Sequence, residues 1–329
     1  MTTINVRSSR LSSGALSDRR AFLIASIAVT GVVMSLLSPY FLRTDNLLTM
    51  TQFGAVVGLL ALGQTLVIIG GGGGIDISVG STLSLCGVIM GVAVEHAVNV
   101  WLAALLTLAL GLVLGATNGV LITVVKVPAL ITTLGTLYLF GSAAEVIAGD
   151  RQITGFDRAR FSFLGHGAIV GVPTQVLLVL IPVYVLAAWV IGRAAIGRRV
   201  YETGNNDQAL RLAGGSPSMV RFGLYCVSGV LAALGAVVTN SWLLIARANA
   251  GADFTLDSIT IAVLGGTSIF GGRGRVSGTF LAVMLIVVLN SGLQLAGVAQ
   301  SYQTGILGVM LIMSVLLNQV LIRRSGQRA

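Results

Sequence analysis

Residues 70–81 read GGGGGIDISVGS, a run of glycines closed by a carboxylate and a serine. The string lies between two almost wholly apolar stretches, 58–69 and 82–94. Two chemistries would use it. Glycine-rich backbone can cradle phosphate, and it can break a membrane helix where a pathway or gate is needed. A Walker-type loop requires G-x-x-x-x-G-K-[ST], because the lysine reaches the terminal phosphates and the hydroxyl holds magnesium. Here the run ends in Ile75-Asp76, whose charge repels phosphate, and the one lysine of the chain is Lys126, in VVKVP. The sequence therefore offers no nucleotide site of that type. If ATP drives this protein, another subunit binds it.

Other reactive groupings are absent from the sequence as well. His96 and His166 stand in no H-E-x-x-H, and no Ser/His/Asp arrangement can be assembled, so no catalytic residue is assigned. Cys86 and Cys226 lie inside apolar runs and read as small buried hydrophobes; without a CxxC or Cys/His cluster, neither a metal nor another cofactor is expected. What remains is mechanical: glycines let a helix unwind, while Asp76 and Ser78 are placed to cap the next helix or to bond freed backbone N–H groups. A structural re-entrant turn and direct solute contact both fit.

The elements that must position this string follow from composition. The chain has 329 residues, 55% hydrophobic and 9% charged, with a mean hydropathy of +0.94. A soluble domain carries roughly 25% charged residues, so this chain could not cover its surface with polar groups. Its apolar runs reach the length of about 20 residues that a helix needs to cross a bilayer, and the alternation of a membrane β-barrel is missing. The expected fold class is an all-α polytopic membrane protein with about ten transmembrane helices, Gly-rich helix breaks and a short cytoplasmic helix, whose coupling role is implied by the resemblance given below.

The expected spans are 21–38, 49–69, 79–97, 100–125, 128–148, 174–192, 222–246, a short Gly-interrupted 258–270, 276–297 and 303–322. The first ends at Ser38-Pro39 with no A-x-A-like cleavage site, so it reads as a retained helix. With both termini in the cytoplasm, the inner segments hold 15 Lys and Arg and the outer segments hold 5, as the positive-inside rule demands. An odd number of spans would put Arg323, Arg324 and Arg328 outside. The domain division is a cytoplasmic arm 1–20, one transmembrane domain 21–322 and a cytoplasmic tail 323–329. The domain carries an external loop 149–173, with Arg151, Arg158 and Arg160, and a cytoplasmic loop 193–221.

That inner loop contains a short helix with both ends marked. Asn205 or Asn206 can cap it, Asp207 sits in its first turn, Gly214 and Gly215 can end it, and Pro217 prevents continuation. Between them DQALRLA supplies Ala209, Leu210, Leu212 and Ala213 as apolar positions. Two turns are not stable alone in water, so the helix must pack on the membrane domain, the lipid surface or another protein.

Here the chain resembles a family. G-N-N-x-x-A-x-R-L-A-G looks like the coupling loop of ribose-type ABC importer permeases, which include monosaccharide and autoinducer-2 permeases. The match implies that Gly204, Asn205, Ala209, Arg211, Leu212 and Gly214 dock on an ATPase subunit, although Gly215-Ser216 replaces the Ile-containing ending usual there. Residues 73–81, GGIDISVGS, are similar to the GG-[IL]-D-[IL]-S-V-G-S signature of the same family. This implies a structural or gating role for Gly73, Gly74, Asp76, Ser78 and Gly80. Residues 264–274, LGGTSIFGGRG, resemble a third family stretch and assign Gly265, Gly266, Gly271 and Gly272 to a second flexible break; Arg275 stands where a small residue is commoner. A faint echo links LGQT at 62–65 with LGGT at 264–267. The resemblance spans roughly residues 45–320.

Among the remaining polar residues, Asn290 and Gln294 share one helix face and could hydrogen-bond a hydroxylated solute or glue helices together. Asn118, Asn240 and Asn318 carry the same two readings. Glu95 and Glu145 fall near outer helix ends, and the tryptophans read as interfacial anchors. An ion-coupled secondary transporter would need carboxylates near the midplane, and nearly all the acids are expected in loops or at helix ends; an intramembrane enzyme lacks its residues. The family resemblance implies a permease subunit importing a small hydroxylated solute across the bacterial inner membrane. Its expected partners are cytoplasmic ATPase subunits, a second permease, identical or paralogous, and a solute-binding protein; no nucleic acid is expected.

Overall fold

The computed structural model describes residues 12–149, 151–156 and 159–326, with side chains over 19–149, 151–156 and 161–316. The described residues form α1 Ser12–Leu37, α2 Thr44–Ile69, α3 Val79–Glu95, α4 Val100–Thr123, α5 Ala129–Ala148 and α6 Ala159–His166. A hairpin of β1 Ala168–Ile169 and β2 Val172–Pro173 follows, and a π-helical turn, Val176–Leu180, leads into α7 Ile181–Arg193. The rest are α8 Ala195–Asn205, α9 Asp207–Leu212, α10 Pro217–Leu243, α11 Phe254–Leu264, α12 Val276–Leu295 and α13 Gln300–Gly326. Among the described residues, seven helical passages are long and apolar enough to cross a bilayer, and three shorter apolar helices (α3, α11 and the described part of α13) bring the number to the expected ten.

Several boundaries differ from the sequence expectation. Helix α1 begins at Ser12, so part of the polar arm is helical; residues 1–11, and 327–329 of the expected tail, lie outside the described residues. Helix α10 starts at Pro217, with Ser216 capping it by accepting the Met219 N–H at 3.4 Å. The eighth passage is the half-length α11, ending before the glycines rather than running through them. The outer loop, of which Arg158 lies outside the described residues, is folded: it contributes α6, the hairpin and a bridge between Ile153 and Ala246.

Helix α2 is apolar all round, which suits a helix with protein on every side. In its most apolar stretch 89% of residues are buried, against 11% in α1 and 17% in the passage that includes α7. It forms the axis of the bundle, with α10, α11 and α12 packed around it. Helices α1, α4 and α7 turn large side chains outward, among them Phe22, Val29, Leu105, Val113, Val185 and Trp189.

The two ends of the bundle differ. At one end Arg19 donates to the Val263 and Leu264 carbonyls at 2.8 and 3.2 Å, Lys126 reaches the Ser218 hydroxyl at 3.2 Å, and both glycine turns meet the α8–α9 segment. At the other, Arg151 pairs with Glu95 at 2.6 and 2.8 Å, and Gln52 donates to the Gly165 carbonyl. Arg19, Lys126 and the α8–α9 segment, all assigned to one side by sequence, thus gather at one end.

Candidate functional site

Helix α9 is built as its sequence suggests. Asn206, not Asn205, is the cap, its side-chain oxygen accepting the N–H groups of Gln208 at 2.9 Å and Ala209 at 3.1 Å. At the other end Gly215 N–H returns to the Leu210 carbonyl at 2.9 Å and Gly214 N–H to that of Arg211 at 3.0 Å, which closes the helix. Leu210 is buried and anchors the helix, whereas Ala209, Arg211 and Ala213 are exposed and Leu212 is 91% exposed.

The residues just before α9 have a different task. Gly204 sits where the two glycine turns converge. A Cβ there would collide with the Ile69 carbonyl and the Gly272 N–H, which are themselves hydrogen-bonded at 2.9 Å. Gly71, at φ +68°, brings its own backbone against Gly204 on one side and Gly271 on the other, so it must lack a side chain for both reasons. Asn205, released from capping, donates to the Gly272 carbonyl at 3.4 Å. Tyr201 on α8 donates to the Gly274 carbonyl at 2.8 Å, and burial raises its phenol above the ordinary range. The end of α8 and both glycine turns, more than 60 residues apart on either side, are one junction of contacting backbone.

Arg221, in the first turns of α10, locks this junction. Its guanidinium donates to both Asp207 carboxylate oxygens, at 2.8 and 2.6 Å, to the Gly70 carbonyl at 3.1 Å and to the Thr203 carbonyl at 3.5 Å. A single side chain therefore ties α9, α8 and the end of α2 together, with the directional strength of a charged, two-pronged contact.

Deeper in the bundle, the carboxylate of Asp76 is saturated. Its Oδ1 accepts the Ser78 N–H at 3.1 Å and the Ser78 hydroxyl at 2.7 Å, and its Oδ2 accepts the Ser228 hydroxyl at 3.0 Å. Asn118 donates to the Ser78 hydroxyl at 2.8 Å and accepts from Thr136 at 2.8 Å. With its amide oriented to satisfy both neighbours, Gln64 bonds the Asp76 backbone at 3.1 and 3.3 Å. Helices α2, α4, α5 and α10 are thereby pinned to the non-helical segment before α3. Of the two readings of this string, the geometry favours the structural turn.

Of the expected site residues, Gly204, Asn205, Gly271 and Gly272 meet at the junction. Gly73 is exposed beside it, and Gly74 turns back to Gly71 at 3.1 Å. Gly265 abuts Gly278 of α12, and Gly266, at φ +100°, lies beside Arg19. Gly80 packs elsewhere, on Gly251 and Thr255. Asn290 keeps a buried side-chain oxygen without a partner, and Gln294 is exposed in the last turn of α12, so the structure does not join them into one site. Asn118 and Asn240 act as glue, the latter donating to the Gly87 carbonyl at 2.9 Å; the side chain of Asn318 lies outside the described residues.

Two acids are buried, Asp76 in the non-helical segment before α3 and Asp257 in the first turn of α11. Apolar neighbours in sequence masked Asp257, and Arg221 and Ser228 gave no local signal, since their partners are remote along the chain.

The sequence pattern of the family described as "Branched-chain amino acid transport system / permease component" matches residues 46–315. The autoinducer 2 import system permease protein LsrD of Klebsiella pneumoniae is 36% identical over 315 residues, which cover 94% of this chain and 92% of that protein. The ribose import permease protein RbsC of Escherichia coli K12 is 35% identical, with 97% and 99% covered. The Bacillus subtilis RbsC is 36% identical, with 88% and 89% covered. No solved structure matches.

Proposed function

The chain belongs to this permease family, and on that premise we propose that it is the membrane-spanning subunit of an ATP-driven importer for a small, neutral, hydroxylated solute. The family description speaks of branched-chain amino acids, whereas the relatives that align over nearly the whole chain are ribose and autoinducer-2 permeases. The likeness along the full chain carries more weight for the solute than a description shared across the whole family.

The observation that carries the reading is the form of the α8–α9 segment. Its tip, with Leu212 and Arg211, is open to a partner, while its root at Gly204 is set against both glycine turns. An ATPase subunit gripping the tip would act directly on the ends of α2 and α11, which is how chemical work done outside this chain could reach the pathway. In this arrangement the junction end is cytoplasmic, the positive-inside count agrees, and a solute-binding protein delivers to the opposite end. A second permease, identical or paralogous, completes the pathway.

Affinity purification of the tagged chain in mild detergent tests this. A stoichiometric Walker-A ATPase should co-purify and be lost on changing 209–213. Active transport by the chain without such a partner would sink the proposal in favour of a secondary transporter.

A further inference from the structure

The passage after α10 crosses the bundle in two conformations. Ala246 and Ile153 exchange backbone hydrogen bonds at 2.8 and 2.9 Å, at the level of Gly91 on α3, where an added Cβ would touch both side chains. Gly251 donates its N–H to the Ser84 hydroxyl at 2.9 Å, and its carbonyl lies against Gly80. From Gly91 to Ser84 and Gly80 is roughly 10–16 Å of helix at 1.5 Å per residue. The chain descends beside α3 in successive turns, with the Ala250, Ala252 and Phe254 N–H groups donating to the Arg247, Asn249 and Gly251 carbonyls at 3.2 Å each, and α11 completes the crossing from Phe254 to the glycine turn.

Non-helical backbone at membrane depth persists only where protein buries it or where it borders a polar cavity. Here it does both. Asn249, Ala252 and Asp253 are exposed, and an exposed carboxylate at this depth is not compatible with a lipid-facing surface. Asp257 follows one turn into α11. It is 5% exposed, and among the described residues no donor reaches its carboxylate. The contrast with Asp76, which has three donors, is the informative point. Both are interior carboxylates; one is saturated by protein and the other has its acceptors free. Above them on the same segment, the Arg247 Nε–H is buried with no acceptor.

We infer that the break at 247–257 is a binding place for a neutral polyhydroxylated solute, with Asp257 and Asp253 accepting its hydroxyl hydrogens and Arg247 donating to an oxygen on the side away from the glycine junction. A carboxylate is the strongest acceptor a protein can offer a hydroxyl, and two of them select against anions. The inference rests on the proposed importer function for its direction of travel. The binding itself is tested separately.

The test uses the full chain with Cys86→Ala and Cys226→Ala, and Ala252→Cys as a reporter in the break. Modification of that thiol by a water-soluble reagent in membrane vesicles is followed with ribose, xylitol and erythritol as probes, and with leucine and ribose 5-phosphate as controls. At least one polyol should slow modification, by about tenfold at ten times its midpoint concentration. Asp257→Asn should abolish that protection while leaving the unprotected rate unchanged, which shows that the break is still formed. Protection by leucine alone, protection that survives Asp257→Asn, or no protection by any polyol would overturn the inference. If a polyol protects but no ATPase co-purifies, the site stands and the importer reading falls; the reverse pair of results separates them the other way.

Discussion

Arg221 and Asp207 face each other with both guanidinium nitrogens on both carboxylate oxygens, at 2.8 and 2.6 Å, while the Arg221 Nε–H holds the Gly70 carbonyl. Ser228, two turns further along the same face of α10, donates to Asp76. One stripe of one helix thus touches α9, the first glycine turn and the buried carboxylate network.

Arg221→Lys keeps the charge but cannot reproduce the two-pronged contact. It should lose about 1.5–3 kcal/mol in detergent unfolding, the worth of hydrogen bonds to a charged group. Uptake should fall further than stability alone explains, as initial rates normalised to membrane-inserted protein would reveal.

Arg211→Glu alters only the exposed tip of α9. Surface changes of this kind leave stability within about 0.5 kcal/mol. Membrane abundance and melting should therefore be unchanged while ATPase co-purification and uptake disappear. Uptake at the normal rate in this variant would refute the docking assignment.

Gly204→Ala and Gly73→Ala separate packing from backbone strain. At 204 a methyl group meets backbone that cannot rotate away, and a cost of about 1–3 kcal/mol or more is expected, with transport lost. At 73 the methyl meets open space and only the φ of +70° resists, for about 1–2 kcal/mol. Melting curves of the two variants, with uptake measured alongside, should rank in that order.

Asp76→Ala strands the donors of Ser78 and Ser228 and should cost about 2–5 kcal/mol. Because the partners act as a unit, adding Ser228→Ala should cost less in that background than in the parent chain. A double-mutant cycle by thermal unfolding reads the difference; strict additivity would mean the network is not cooperative.

Leu212→Cys and Val170→Cys, each in a chain without its two native cysteines, report orientation. Both sites are more than nine-tenths exposed and lie in segments assigned to opposite sides. A membrane-impermeant thiol reagent should label residue 170 in intact cells and residue 212 only in inverted vesicles.

How far the sequence could be read depended on the range of the interactions. The number of membrane passages was legible because each is a local apolar run, and the termini of α9 were legible because caps act within a few residues. The segment 244–253 was not, since Leu244, Ile245 and Ala246 prolong the apolar pattern of α10 while the backbone has already left the helix at Leu244, φ +57°. Each glycine string could be recognised, but their meeting at Gly204 could not, because it depends on how α2, α8 and α11 end in space. The sequence echo between 62–65 and 264–267 has no matching placement, since 62–65 lies inside α2 and 264–267 begins where α11 ends, although the glycine turns after the two helices touch.

Gly71, Gly204 and Gly271 meet with no side chain between them. A joint cushioned by side chains has play, since rotamers can shift and absorb a displacement before the main chain moves. Bare backbone has none. A push on the short helix is therefore delivered to both turns at once and without lag, like a gear train cut without backlash. The same closeness leaves evolution little to adjust at the joint, so differences in speed or efficiency among related permeases should be tuned around it rather than within it.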